Sequence, residues 1–363
     1  VLYHFWNDVL GLFPALDRVS PLVQVGHMAV PAFFMLSGFV LAYNYADQFR
    51  HLRRDQVIRF LCLRLARVYP VHLVTLLVVL IMVVVSSRVG YQLTDDGYTV
   101  RDFVLNLSLM QTWVPDFTLN WNYPSWSISS EWFAYLLFPL AIAGSSRHLT
   151  TTLRATFVVV ASLAGAVAVM NWWRPWPFYE LILVVPTFFS GAAVYFVLRG
   201  HIDAGRSRLW RWVSEWMVSA AVVSIFVFSP RIVVASLLAC FLGLITVLAW
   251  LGTNCTKMWA ARPAIYLGEV SYSLYMTHTI AQKVVYRLLP ASRFEAAELL
   301  TKLGVLAVYA LTITFLCLGT YYCVEWPCRI FFKKLTRRTA GSSQLLQPTR
   351  PAAPGTGTSP RIL

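Results

Sequence analysis

Apolar runs about 20 residues long recur through this chain, and they constrain its fold more than any other feature. A helix of roughly 17–25 residues crosses the ~30 Å hydrocarbon core of a bilayer. Such runs fall at about 1–15, 28–46, 68–86, 125–144, 155–170, 178–198, 213–229, 231–251, 264–286 and 302–324. They predict an all-α, polytopic transmembrane helix bundle of about ten spans, with a polar central cavity. Composition agrees. Only 13% of the 363 residues are charged, about half the ~25% of a soluble domain, so most of the chain has no water-facing surface to supply. The segment 102–113 is apolar but too short to cross, and is expected to form an interfacial or re-entrant helix.

The formal net charge is +14. In a soluble chain that excess would point to nucleic acid. Here the cations cluster between spans, which is a topology signal, and no nucleic-acid partner is expected. Counting from a cytoplasmic N-terminus, the inner segments hold nineteen Lys and Arg, with the densest runs at Arg50–Arg67, Arg199–Arg211 and Arg329–Arg338. The outer segments hold seven, or nine with Lys283 and Lys302 at the ends of their spans. Making 102–113 a full span would reverse every later loop and largely erase the bias. Both termini are therefore expected inside the cell. The organisation expected is a membrane domain over 1–335 and a disordered cytoplasmic tail over 336–363, where Ser, Thr, Pro and Gly take over after Arg338. Val1 to Trp6 is already apolar and has no basic leader, so the start reads as a first span cut in its middle. None of the six Cys forms a CxxC pair or a metal-ligand spacing. They read as packing residues, and no metal site is expected.

An ionisable side chain within a span costs about 2.5–3.5 kcal/mol on insertion scales, so each one needs a reason. His4 and Asp8 are spaced i, i+4 in the first run and share a helix face. A carboxylate there suits polarising an imidazole into a general base, although a pair that only packs has the same spacing. Arg64 and Arg67, spaced i, i+3 at the mouth of the third span, suit a phosphate or pyrophosphate. They equally suit topology anchoring and anionic lipid headgroups. Five of the eight residues from Ser125 to Trp132 are polar, so Ser125, Ser127 and Glu131 must face protein or a wet cavity. Ser271, Tyr275, His278 and Gln282 follow i, i+4, i+7 and i+11, which is one polar stripe down an apolar helix. Ser37-Gly38 permits close helix approach. No Walker A motif, dinucleotide glycine fingerprint, HExxH or GxSxG elbow is present, so nucleotide hydrolysis, zinc proteolysis and a soluble-hydrolase triad lose their main support.

Together these segments resemble the acyltransferase-3 family. The matches are His4, the Phe33–Phe39 stretch, Arg64 with Arg67 and Pro70, Ser125 to Glu131, Phe188 to Gly191, Gly268 to His278, and Glu325-Trp326-Pro327. Each is weak alone, but they occur in order from residue 4 to residue 327. The family's usual Arg upstream of the first-span His has no counterpart here. The resemblance implies a ten-span bacterial inner-membrane enzyme. It would move an acyl group, commonly acetyl from acetyl-CoA, to a hydroxyl on an extracytoplasmic sugar, polysaccharide or glycolipid. The acyl-CoA donor is a substrate and no bound cofactor is implied. Arg64 and Arg67 would hold the CoA phosphates. His4 would deprotonate the acceptor or relay the acyl group, with Glu131 as a further catalytic candidate. Ser37, Ser125, Trp126, Ser127, Ser271, Tyr275 and His278 would line the substrate path, and membrane lipids would surround the whole. The alternative is a transporter or flippase of a lipid-linked sugar, using the same cavity without covalent chemistry. Transporters often show paired, Gly/Pro-broken spans in repeated halves, and no such repeat is visible in the sequence.

Overall fold

The computed structural model describes residues 1–90, 97–149, 151–173, 177–199 and 262–344, with isolated positions between 234 and 245. The expected span 213–229, most of 231–251 and the last nineteen residues of the expected tail lie outside these. Every element among the described residues is helical. In chain order they are α1 Leu2–Leu12, α2 Ala29–Tyr45, α3 Arg54–Arg88, α4 Val100–Leu107, α5 Ser125–His148, α6 Thr152–Ala168, α7 Tyr179–Leu198, α8 Arg262–Leu288, α9 Leu299–Thr320 and α10 Trp326–Gln344. Five helical stretches are long and apolar enough to cross a membrane.

Three elements differ from expectation. The first span, expected over 1–15, is an 11-residue helix that rises only ~16 Å. Pro14 follows it directly and opens a series of short turns through Met28, because proline tolerates a first turn but not a helix interior. The third span begins fourteen residues before the expected 68, since α3 runs unbroken from Arg54 through Pro70 to Arg88. Neighbouring helices make such an internal proline tolerable within a membrane. At the other end, a single π-turn at Tyr321–Glu325 leads into α10. Pro327 lies just past the π-turn, inside a helical stretch that runs on from α9, and such local π adjustments make an internal proline tolerable in a membrane helix. Helix continues to Gln344, past the expected boundary at 335. The segment 102–113 stays short as expected, as α4 and a 3₁₀ turn at Gln111–Trp113.

Polarity is inverted relative to a soluble protein. Leu300, Leu311 and Phe315 on α9 are 80%, 69% and 77% exposed, whereas Ser129, Ser130, Ser190, Ser273 and His278 are fully buried. Apolar side chains face outward and polar ones face the interior, as lipid demands. α2 and α7 pack closely at Gly38 and Gly191. A Cβ on Gly38 would run into the Phe188 carbonyl, and one on Gly191 into the Met35 carbonyl. Beside this crossing, Phe49, Phe60, Phe138 and Phe188 form an edge-to-face and stacked chain, with ring centroids 5.4, 5.4 and 6.0 Å apart in sequence.

The stretch between α3 and α5 is bound down on three sides. From α3, Tyr69 Oη donates to the Leu107 carbonyl (3.0 Å) and His72 Nε2 to that of Asn106 (2.8 Å). Gln111 donates to the Ser125 carbonyl (2.8 Å), and the Thr112 and Ser129 hydroxyls meet at 2.9 Å. From α8, Lys283 donates to the Asn120 carbonyl (3.3 Å), while Asn122 donates to the Met276 carbonyl (3.5 Å).

Candidate active site

Two cavities meet inside the bundle. The first, about 340 Å³, lies between α2, α3, α5 and α8, and is lined by Ser37, Arg64, Arg67, Ser127, Glu131 and Tyr135 among others. The second, about 420 Å³, includes His4, His27, Tyr123, Trp126 and His278. Val30, Phe33, Ser271 and Tyr275 line both, so the chambers share a wall built by α2 and α8.

In the arginine chamber the cations are left available. Arg64 donates a long hydrogen bond to Tyr45 Oη (3.4 Å), and its guanidinium lies over the Tyr45 and Phe60 rings at 5.7 and 5.9 Å. Its buried Nε has no hydrogen-bond partner among the described residues. Neither Arg64 nor Arg67 forms an ion pair among the described residues. Aromatic faces fix the guanidinium plane while its N–H fork stays open for an anion. Glu131 is committed elsewhere: its Oε1 accepts from Ser37 Oγ (2.8 Å) and Tyr135 Oη (2.6 Å). Tyr135 is one turn beyond Glu131 on α5, a spacing visible in the sequence but not singled out there.

In the histidine chamber, His4 and His278 face each other with ring centroids 5.0 Å apart, and Tyr123 packs edge-on to His4, also at 5.0 Å. Gln282 fastens α1 to α8, donating to the His4 carbonyl (2.7 Å) and to Asp8 Oδ2 (2.9 Å). The shared wall is cross-braced by Tyr275. Its hydroxyl lies 2.8 Å from Ser127 Oγ and donates to the Pro124 carbonyl (3.1 Å).

A family model described as an acyltransferase domain matches residues 1–322. The chain belongs to the acyltransferase-3 family. Acyltransferase MdmB of Streptomyces mycarofaciens is 39% identical over 122 residues, which is 33% of this chain. The matched stretch spans only 29% of that relative's own length. No solved structure matches.

Within this acyltransferase domain, Arg64, Arg67, Ser37, Ser127 and Glu131 gather in one chamber, while His4, Trp126 and His278 gather in the other. His4 and Glu131, the two residues expected to be catalytic, therefore line different chambers. Ser271 and Tyr275 stand between them. Ser125, expected on the substrate path, lines neither cavity. It is buried, donating to Asn106 Oδ1 (3.0 Å) and the Asn122 carbonyl (2.7 Å), and so holds the α4 connection to α5. The His4–Asp8 pairing expected from spacing does not form among the described residues, because Gln282 of α8 captures the carboxylate. Late in the chain, Glu325 accepts from Ser273 (2.5 Å) and Arg329 (3.5 Å), joining α8 to α10.

Proposed function

We propose that this chain is an integral membrane O-acyltransferase. It would move an acyl group, commonly acetyl, from acyl-CoA to a hydroxyl on an extracytoplasmic sugar, polysaccharide or glycolipid. One observation carries the reading: a chamber with two guanidinium groups that form no ion pair among the described residues abuts a chamber with two imidazoles across a single wall. Charge-assisted, bidentate contacts to phosphate are what Arg64 and Arg67 can offer a CoA donor. The thioester end would reach past Ser271 and Tyr275 toward His4, and the acceptor would enter from the histidine side. Glu131, bound to Ser37 and Tyr135, organises the donor chamber.

Membranes containing the protein should incorporate label from acetyl-CoA into an envelope glycan, and membranes without it should not. Arg64→Ala or Arg67→Ala should raise KM for the donor by roughly 10–100-fold, the ~1.5–3 kcal/mol of a hydrogen bond to a charged group. Arg64→Lys should rescue only in part, because an ammonium lacks the planar fork. Full activity in the double Ala variant would leave these arginines as topology anchors only. Movement of unmodified acceptor with no label ever incorporated would favour the transporter.

The charge bias further supports an inner-membrane location with both termini in the cytoplasm. Reporter fusions after Arg211 and after Lys334 should read cytoplasmic, and fusions near Trp173 should read external. If the Trp173 and Arg211 fusions read the same side, that topology is wrong.

A further inference from the structure

We infer that His278 is the proton acceptor behind His4, so that the two imidazoles work as a relay. The inference rests on the acyl-transfer reading above.

His278 is fully buried, and its Nδ1 lies 2.7 Å from the Tyr275 carbonyl one turn back on α8. A carbonyl only accepts, so Nδ1 carries the proton and Nε2 is left with a free lone pair. That Nε2 is buried and has no hydrogen-bond partner among the described residues. A buried polar atom left unsatisfied typically costs about 1–3 kcal/mol, and such atoms in native structures call for an explanation. Nδ1 is held to its own helix, which leaves Nε2 on the opposite side of the ring from that carbonyl. The neighbouring ring on α1 is that of His4, 5.0 Å between centroids and inclined at 44°. With His278 held by its Nδ1 bond to Tyr275, it is His4 that would turn about its Cβ–Cγ bond to bring a nitrogen toward Nε2.

The surroundings hold this geometry. Gln282, one turn beyond His278 on α8, donates to the His4 backbone carbonyl (2.7 Å), so the helices bearing the two rings cannot slide apart. The same glutamine occupies Asp8 (2.9 Å). Asp8 makes no bond to the His4 ring among the described residues, and the ring that faces His4 is an imidazole instead.

As the acceptor oxygen bonds to the acyl carbon, its proton passes to one nitrogen of His4. The proton on the other His4 nitrogen passes to His278 Nε2. The thioester C–S bond breaks and CoA leaves as thiolate. The proton then returns through the two rings to the thiolate, giving the ester and CoA thiol. His278 acts through His4 and is a positioning residue in this sense.

His278→Asn separates the relay from a structural role. The Asn amide nitrogen occupies roughly the place of Nδ1–H and keeps the bond to the Tyr275 carbonyl, but nothing remains at Nε2. The relay predicts a fall in kcat of about 10²-fold, the lower end of what a positioned proton-transfer group contributes, with KM for acyl-CoA unchanged. His278→Ala should lose as much and regain part of it with added imidazole, which fits the vacated space. A near-normal kcat in His278→Asn, or a loss in His278→Ala that imidazole does not relieve in any part, overturns the relay. Failure of the wild-type protein to transfer any label sinks the acyl-transfer reading itself, which is a different result.

Discussion

Replacing His4 with glutamine is expected to reduce acyl transfer by roughly 10²–10⁴-fold, the range for losing a general base. If His4 instead carries the acyl group as an acyl-imidazole, the loss is at least as large. Glutamine keeps the position polar and roughly fills the ring's space, but it neither takes a proton at neutral pH nor forms the acyl adduct. The fold should survive. The hydrogen bond from Gln282 goes to the His4 backbone carbonyl, not to its ring, so α1 stays fastened to α8. The measurement is label from acetyl-CoA counted in the product, in membranes matched for protein level. Near-normal transfer would remove His4 from the chemistry. Asp8→Asn should cost far less, since Asp8 meets Gln282 and not the reacting ring.

The second large effect is on packing. Gly191→Ala adds a methyl group whose nearest obstacle is the Met35 backbone carbonyl, and a main-chain oxygen within a helix cannot swing aside as a side chain can. α2 and α7 must separate. Overpacking of this kind costs about 1–3 kcal/mol, occasionally more. α2 also carries Ser37, which donates to Glu131 (2.8 Å), and it contributes Val30 and Phe33 to the wall between chambers. Lower thermal stability in detergent should therefore come with lower transfer. Gly38→Ala should act alike through the Phe188 carbonyl. The double variant should cost less than the two single losses combined, because one separation of the helices relieves both clashes. A Gly191→Ala protein that melts and works like the wild type would show that the crossing is looser than its geometry.

What was legible in the sequence was what a single helix can show. The stripe Ser271, Tyr275, His278, Gln282 is a 3.6-residue period, and in the structure its first three members line the cavities while the fourth ties down α1. Pro14 carried a signal for the turn after α1, but the apolar run alone carried the expected span through it to residue 15. The division into two chambers was not legible. It depends on Tyr275 reaching Ser127, 148 positions away, and no local period encodes such a contact. The same limit explains Asp8: spacing places it beside His4, but only the packed bundle brings Gln282 from 274 positions away to claim it. Likewise, the apolar pattern marks where α3 crosses lipid, whereas its polar first turns are held by contacts that hydropathy does not register.

The anchoring of the stretch between α3 and α5 also dictates an order of assembly. Its bonds to α5 close soon after the stretch is made, because Ser125 and Ser129 follow within twenty positions. Its bonds to α8 cannot. Met276 lies 154 positions beyond Asn122, and Lys283 lies 163 beyond Asn120. At ribosomal speeds of about 5–20 residues per second, that gap lasts on the order of 10–30 s. For that interval the nascent protein has Arg64 and Arg67 already made but lacks the α8 side of both chambers. The arginine side of the first chamber is built first and the wall that separates the two chambers is built last, when α8 arrives carrying Ser271, Tyr275 and His278 with it.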